Sequence, residues 1–373
     1  VRREVRGSVE KHLVADVPVG VFLSAGYDSC AVLALAAELH SGPVRAVTLQ
    51  FQEFRNTEQD EAAVAARAAR CYGADHVAVS LGFEDVRRGM PAFLRAMDQP
   101  TNDGLNIYWV SHAVSQIGLK AAMSGLGGDE LLGGYSSFHR YRMMRRCKAL
   151  GGLGRASGLG HKLSALLPGW KHSAKAAAAL AALQSPERTY HAIRGVFMLD
   201  EVRRHVAESV WQEAGGERCV LEPVTEALSP IPRETWSQLA VAEQSLYMRN
   251  QLLRDADWAS MAHSLEVRVP LVDRRLTERL GTSIAAQKGR YGKAPLAAST
   301  RPALPRFVTS RRKTGFALPM NRWVLDVLRK GDMPLPPRWL LRDDPQAVAK
   351  RMENALSADH IHWSKPWQLL VLG

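Results

Sequence analysis

The chain has 373 residues, 46% of them hydrophobic and 23% charged, a composition typical of globular proteins and not of disordered or fibrous ones. No apolar run approaches the roughly 20 residues of a membrane-spanning helix, and the N-terminus does not resemble a signal peptide, so we expect no membrane partner. Lysine and arginine outnumber aspartate and glutamate by 49 to 37, a net charge of +12 that favours anionic partners without identifying them.

Strands and helices alternate along the first third of the chain. Val5, Val9 and Leu13 recur four residues apart, which predicts a helix over 1–13. Apolar and amphipathic runs then predict, in chain order, a strand at 17–23, a helix at 30–39, a strand at 44–51, a helix at 58–72, a strand at 76–80, helices at 83–97 and 106–117, and a strand at 119–123. This alternation is typical of βαβ units and predicts an α/β fold with a parallel sheet.

The remainder of the chain reads as mainly helical. Residues 148–183 are rich in Ala, Gly, Leu and Lys, which predicts helices joined by flexible connections. The four cysteines, at 30, 71, 147 and 219, form no C-x-x-C motif. They therefore predict neither a zinc ribbon nor a redox motif, and their scarcity indicates a reducing compartment, for which we expect the cytoplasm.

The sequence SAGYDS, residues 24–29, lies between a buried strand and a helix. The N-terminus of a helix offers unpaired N–H groups to an anion, Gly26 allows a close backbone approach, and the serine hydroxyls can donate to phosphate oxygens. Asp28 would repel a bare phosphate but suits one that reaches it through Mg²⁺. The alternative is an ordinary turn in which Asp28 or Ser29 caps the helix.

A second glycine-rich loop, SGLGGDELLGGY, follows the strand at 119–123. Asp129 in this loop could supply a second carboxylate to the same Mg²⁺, although a glycine-rich turn with a capping aspartate is the alternative. Because the carboxyl ends of parallel strands lie at one edge of a sheet, we expect this loop and residues 24–29 to meet there. Other phosphate motifs fail, since Gly292-Lys293 is followed by alanine where a P-loop needs serine or threonine.

Four blocks in order resemble the asparagine synthetase family of PP-loop ATP pyrophosphatases. They are SAGYDS, the loop at 124–135, DWASMAHSLEVRVPLVD at 257–273, and KTGF at 313–316 with Pro319 and Trp323. The resemblance implies a parallel-sheet PP-loop core with a largely helical insertion and C-terminal region. It implies a nucleotide-binding core at 1–145, an insertion at 146–240, a helical return segment at 241–330 that completes the active site within the core domain, and a tail at 331–373.

The chemistry implied by the resemblance is ATP- and Mg²⁺-dependent amide formation. A carboxylate attacks the α-phosphate, pyrophosphate leaves, and ammonia or an amine displaces AMP from the acyl-adenylate. Carried over by position, Asp28 and Asp129 bind Mg²⁺, and Lys313 stabilises charge as a catalytic residue. The resemblance further implies nucleotide-binding roles for Leu23, Ser24, Gly26, Asp28, Ser29, Leu49, Ser124 and Gly125.

Two positions depart from the family pattern. Ala25 replaces a usual glycine, and if that position needed φ > 0 the methyl group would cost about 1 kcal/mol or more. Leu126 stands where the family often carries an acidic residue near its amino-acid substrate, and leucine cannot recognise an ammonium group. This leaves open a carboxylate other than aspartate, such as a sugar acid, a peptide or a lactam precursor.

The partners expected from the sequence are a small carboxylate and an ammonia or amine donor. No cysteine lies near residue 1, where the family's glutaminase nucleophile stands, so we expect a glutaminase domain or subunit outside this chain, or free ammonia. A start at Val1 within a predicted helix fits an excised synthetase domain, with a standalone enzyme as the alternative. The oligomeric state stays open, and a homodimer is compatible with the sequence.

Two rival functions belong to other classes. A tRNA-modifying PP-loop enzyme would share the first loop and fit the positive charge, but we find no cysteine-rich module and no basic run interleaved with aromatics. We therefore expect no nucleic-acid partner. A binding module without activity would explain Ala25 and Leu126. Within the third block, we expect Glu266 and Arg268 to form an internal ion pair and Asp273 to cap a helix.

Overall fold

A five-stranded, all-parallel sheet forms the core of the chain, in the order β3-β2-β1-β4-β5. The computed structural model describes residues 1–146, 182–183, 185–311 and 318–373. The strands are β1 Val19–Phe22, β2 Arg45–Phe51, β3 Asp75–Leu81, β4 Ala121–Met123 and β5 Glu266–Arg268. The predicted α/β class, the parallel sheet and its first four strands are confirmed. The polar-flanked segment around Val267 supplies the fifth strand.

Helices connect the strands as the hydrophobic periodicity predicts. In the first part of the chain they are Arg2–His12, Tyr27–Leu39, Ala62–Cys71, Phe83–Ala96, Gly104–Gln116 and the short Gly128–Leu132. The helix Tyr27–Leu39 is apolar all round and central to the main hydrophobic core, with Cys30 to Ala36 each at most 1% exposed. A helix that is hydrophobic on every face requires burial on every face, which fixes its position between the sheet and its helical neighbours.

Contacts divide the chain into two compact units. The first comprises 1–134 and 248–320 and contains the whole sheet. Its later helices are Arg254–Met261, Arg274–Ala286, Ala294–Ala297 and Arg306–Thr309, with 3-10 turns at Gln52–Phe54 and Pro270–Val272. Asp273 caps Arg274–Ala286 by accepting hydrogen bonds from the backbone N–H groups of Arg275 (2.7 Å) and Leu276 (3.3 Å), as predicted.

The second unit comprises 135–247 and 321–373. Its helices are Ser136–Arg146, Pro186–Arg194, Leu199–His205, Glu208–Glu213, Glu217–Ala227, Thr235–Ala242, Pro345–Ser357 and Ser364–Leu370. A π-helix spans Glu243–Leu253, and a helix spans Met320–Lys330. The mainly helical character predicted for the remainder of the chain is confirmed over 186–245, whereas the prediction for 148–183 falls almost entirely outside the described residues. The four-part domain division stays a prediction.

The described part of the chain contains no helix that is both long and apolar enough to cross a membrane. The Glu266–Arg268 pair is present, with Arg268 Nε 2.8 Å from Glu266 Oε1. The Glu266 side chain is 61% exposed, however, so the prediction of an internal pair was wrong in its location. Arg268 also donates to the carbonyls of His12 and Val14 at 2.8 Å, which ties β5 to the end of the first helix.

A cluster of aromatic side chains packs the helices Phe83–Ala96, Gly104–Gln116 and Arg254–Met261 together. Phe93, Tyr108 and Trp258 form the centre of the cluster, and the rings of His112 and His263 lie 5.1 Å apart at its edge. Burial lowers the pKa of both imidazoles, that of His263 to about 4. Both rings are therefore neutral in the folded protein at pH 7.

This neutrality predicts acid sensitivity. His263 titrates near 6.5 in the unfolded chain and near 4 in the fold, so as pH falls the unfolded state takes up the proton first. We expect the free energy of unfolding to fall by about 1–3 kcal/mol between pH 7 and pH 4 through this group. Urea denaturation at pH 7 and pH 4 measures it, with His263→Phe expected to flatten the pH dependence. A His263→Phe variant as pH-sensitive as an exposed His40→Asn control would contradict this account.

Candidate active site

The register of the sheet brings the two glycine-rich loops together. In the parallel pairing of β1 with β4, Val21 lies opposite Met123. The two neighbouring strands therefore end at nearly the same level of the sheet. Beyond the strands, Leu23 N–H donates to the Val47 carbonyl and Ser124 N–H donates to the Arg268 carbonyl, both at 2.8 Å. The loops at 24–29 and 124–134 therefore start side by side at the carboxyl edge of the sheet.

The two loops can approach each other closely because residue 125 is a glycine. A Cβ atom there would lie 2.7 Å from the backbone nitrogen of Ser29 and 2.9 Å from the Cβ of Asp28, closer than real side chains come. Gly127, at φ +92°, takes the left-handed conformation that turns the second loop into the helix Gly128–Leu132. The glycines thus let the second loop lie directly against the N-terminus of the helix Tyr27–Leu39.

Asp28 and Asp129, one from each loop, share a single cation. The Lys293 ammonium lies 2.6 Å from Asp129 Oδ1 and also pairs with Asp28 Oδ2. The three side chains are only 12–16% exposed, so the cluster is shielded from bulk water. A Cβ at Gly128 would overlap the Asp28 carboxylate, and one at Gly134 would overlap that of Asp129. Glycines therefore leave the room that the carboxylates occupy.

The charge balance of the cluster keeps the lysine protonated. Burial would lower the pKa of Lys293, but the adjacent carboxylates of Asp28 and Asp129 outweigh it and raise that pKa above its ordinary value. The ammonium is thus fully charged at neutral pH, and the three groups together carry one negative charge. Such a cluster is complementary to a cation of higher charge than lysine's own.

The serines of the first loop form a local network. Ser24 Oγ and Ser29 Oγ lie 2.8 Å apart, and the Gly26 N–H donates to Ser24 Oγ at 3.2 Å. Gly26 is the N-cap residue of the helix Tyr27–Leu39, with an extended backbone at φ −88°. The hydroxyls and the first N–H groups of this helix are therefore grouped at its N-terminus, where an anion is stabilised.

The residues assigned by resemblance to the adenosine lie at neighbouring strand ends. Leu23 and Leu49 are each 3% exposed, and the Thr48 hydroxyl donates to the Leu23 carbonyl at 2.7 Å, which binds β2 to the end of β1. Ser124 is 6% exposed, and Gly125 follows it at the contact with Ser29. The structure thus brings all these residues to one edge of the sheet, whereas Lys313 lies outside the described residues.

Ala25 and Leu126, the two departures from the family pattern, differ in what the structure shows for them. Ala25 is 3% exposed and does not belong to the described non-glycine residues with positive φ, which are Asn56, Ser264, Lys288 and Asp359. Alanine therefore fits the first loop without left-handed strain. Leu126 is partly buried in the second loop, where its N–H donates to Ser124 Oγ at 3.4 Å. A leucine at this position presents an apolar surface.

Mg²⁺ and a polyphosphate fit this donor set. Two carboxylates are the ligands that proteins usually give Mg²⁺, with phosphate oxygens and water completing the octahedron. Among the residues that the structure describes, no group of three or more His, Cys, Asp or Glu side chains is placed to hold a metal. The pair Asp28 and Asp129 would hold the ion together with phosphate oxygens and water, and the N-terminus of the helix Tyr27–Leu39 offers a phosphate site beside them.

Sequence reasoning missed Lys293. In the sequence this lysine stands only in an incomplete P-loop motif, because alanine follows it. No spacing links this residue to Asp28, 265 positions earlier in the chain. A buried lysine is recognisable only once a fold shows which carboxylates face it.

Comparisons with known proteins match the chain to one sequence family. A family model described as asparagine synthase matches residues 1–372. A putative glutamine-hydrolysing asparagine synthetase of Mycobacterium bovis is 30% identical over 345 residues, covering 87% of this chain and 48% of the relative. Asparagine synthetase 1 of Bacillus subtilis, also glutamine-hydrolysing, is 24% identical, covering 87% of this chain and 50% of its own length. Amidase chry2 of Gibberella zeae is 25% identical, covering 78% and 46%. The chain thus spans about half the length of these relatives.

Replacing one carboxylate of the pair tests the metal assignment. We expect Asp129→Asn to keep the fold and to lower Mg²⁺-dependent nucleotide turnover by at least about 100-fold, because one of two metal ligands is lost. Turnover and circular dichroism measure the two properties, with Asp16→Asn, at an exposed position, as the matched control. Turnover within a few-fold of the control would show that Asp129 does not bind the metal.

Proposed function

The chain belongs to the asparagine synthase family, and we propose that it is an ATP-dependent ligase that converts a carboxylate to an amide through an acyl-adenylate. One observation carries the proposal. Asp28 and Asp129, from loops a hundred residues apart, converge on one cation beside a helix N-terminus. This arrangement suits a metal-bound polyphosphate whose α-phosphate is open to attack.

In the proposed reaction, the first loop and its helix bind the pyrophosphate end of ATP. Ser24 and Ser29 donate hydroxyl hydrogen bonds, and Gly26 lets the backbone approach. Mg²⁺ held by Asp28 and Asp129 would neutralise charge on the departing pyrophosphate. Leu23 and Leu49, at strand ends, flank the adenosine together with Ser124 and Gly125. The acid oxygen attacks the α-phosphorus, and the P–O bond to pyrophosphate breaks.

Lys313 supplies the charge needed in the transition state. We assign it to the developing charge on the phosphates or on the acyl centre, where a compact ammonium beside a metal-bound phosphate acts by electrostatics alone. In the second step ammonia or an amine attacks the acyl carbon, and AMP leaves with the pair of electrons from the broken C–O bond. The product is an amide.

Leu126 bears on which carboxylic acid is the acceptor. Its apolar side chain cannot pair with the ammonium group of a free amino acid. The second candidate is therefore a carboxylate other than aspartate, such as a sugar acid, a peptide or a lactam precursor. The similarity to both asparagine synthetases and an amidase is compatible with either acceptor.

We propose that the nitrogen comes from ammonia or a small amine. The two asparagine synthetases named above are called glutamine-hydrolysing, and the chain spans about half their length. A glutaminase domain or subunit outside residues 1–373 would release ammonia for the second step. For the location of the reaction we propose the cytoplasm, where ATP is available and thiols stay reduced.

Product analysis tests the reaction class. Because the loops hold the two outer phosphates as the leaving group, the products of ATP are expected to be AMP and pyrophosphate. ATP–pyrophosphate exchange identifies the acceptor. It is measured separately with aspartate, with sugar acids and with carboxylate-bearing peptides. Formation of ADP and phosphate instead would contradict adenylation.

Removal of the Lys313 ammonium separates binding from chemistry. We expect Lys313→Ala to lower kcat by about 10²–10³-fold with ATP affinity nearly unchanged, since the charge acts in the transition state. Steady-state turnover and calorimetric ATP binding give the two numbers, and Lys120→Ala, on the exposed surface, is the control. A loss of affinity equal to the loss of kcat/KM would assign Lys313 to ground-state binding.

A further inference from the structure

We propose that Lys293 is an internal substitute for magnesium: in the free enzyme its ammonium holds the Asp28 and Asp129 carboxylates, and it moves to the polyphosphate when the metal–nucleotide complex binds. The inference rests on the proposed function for the identity of the nucleotide. Its basis in the structure is that Lys293 Nζ contacts both carboxylates that are assigned to the metal.

Two ions cannot share this position. The lysine and both carboxylates are largely buried, and the ammonium already lies at contact distance from an oxygen of each aspartate. A metal ion bound to the same two oxygens would bring its double charge within a few ångströms of the ammonium, a repulsion that low solvent exposure does not screen. Lys293 therefore has to leave the carboxylates before a metal ion can use them.

The side chain is suited to that movement. An ammonium on a flexible four-carbon stem is a compact point charge that can exchange one anionic partner for another. The Lys293 stem passes Gly134, where a Cβ would overlap its Cε atom, so the second loop leaves lateral space for it. Lys293 is itself the N-cap residue of the short helix Ala294–Ala297 and follows Gly292, which has φ +47°.

Charge explains why the exchange would occur only with nucleotide. A free Mg²⁺ ion must displace a buried ammonium from both of its carboxylate partners and brings no anion of its own to receive it, which is costly. The Mg²⁺–ATP complex brings the phosphate oxygens that receive the displaced ammonium. The carboxylate pair is thus closed to bare divalent cations and open to the metal–nucleotide complex.

The test measures metal binding without nucleotide. Mn²⁺ alone is titrated into the protein, and the free ion is followed by electron paramagnetic resonance. We expect Lys293→Met to bind Mn²⁺ at least tenfold more tightly than the wild type, because the competing cation is gone. The same variant should bind Mg²⁺ with a non-hydrolysable ATP analogue at least tenfold more weakly, because the phosphates lose a ligand.

Two further variants make the result decisive. Lys293→Arg keeps the positive charge and is expected to exclude Mn²⁺ as the wild type does, and Lys120→Met removes an exposed lysine and is expected to change neither affinity. If Lys293→Met does not fold in metal-free buffer, we expect it to fold in millimolar Mg²⁺, with the metal replacing the missing charge.

A Lys293→Met variant that binds Mn²⁺ no better than the wild type, or that stays unfolded with Mg²⁺, would overturn the exchange. A lysine with a merely structural role would weaken both affinities together. Either failure leaves the proposed function untouched, since release of AMP and pyrophosphate by the wild type is measured independently.

Discussion

Two carboxylates from distant parts of the chain face each other across one buried ammonium, and the local architecture serves to keep them there. β1 and β4 are neighbours in the sheet, so the loops that follow them start side by side. Glycines at 125, 128 and 134 remove the side chains that would hold those loops apart. Bringing like charges together out of water is unfavourable without a cation, and Lys293 supplies that cation.

The same arrangement links the fold to the chemistry of the asparagine synthase family. A helix N-terminus with two serines offers a site for phosphate, and the carboxylate pair beside it offers a site for magnesium. In the proposed mechanism the protein then needs only to orient an acid oxygen towards the α-phosphorus, because the charge of the leaving pyrophosphate is already matched. Leu126, in the second loop, is a partly buried apolar residue, and the choice of acceptor in the proposed reaction depends on it.

Local patterns in the sequence predicted the sheet, because buried parallel strands and amphipathic helices carry strong periodic signals. The first four strands, the helix that follows residues 24–29 and the cap at Asp273 all depend on residues within a few positions of one another. The role of Lys293 could not be predicted from the sequence, because its partners lie 265 and 164 positions away and no periodicity encodes that contact. The exposure of Glu266 could not be predicted for a related reason, since the sequence of a three-residue edge strand does not reveal which side faces solvent.

A double-mutant cycle on nucleotide affinity decides whether Asp28 and Asp129 act as one metal site. Binding of a non-hydrolysable ATP analogue with Mg²⁺ is measured for the wild type, Asp28→Asn, Asp129→Asn and the double variant. If both carboxylates bind one ion, either single substitution removes most of the metal's contribution to nucleotide affinity. The double variant then binds about as weakly as either single variant. Losses of binding free energy that add in the double variant would show that the two carboxylates act independently and do not share one metal ion.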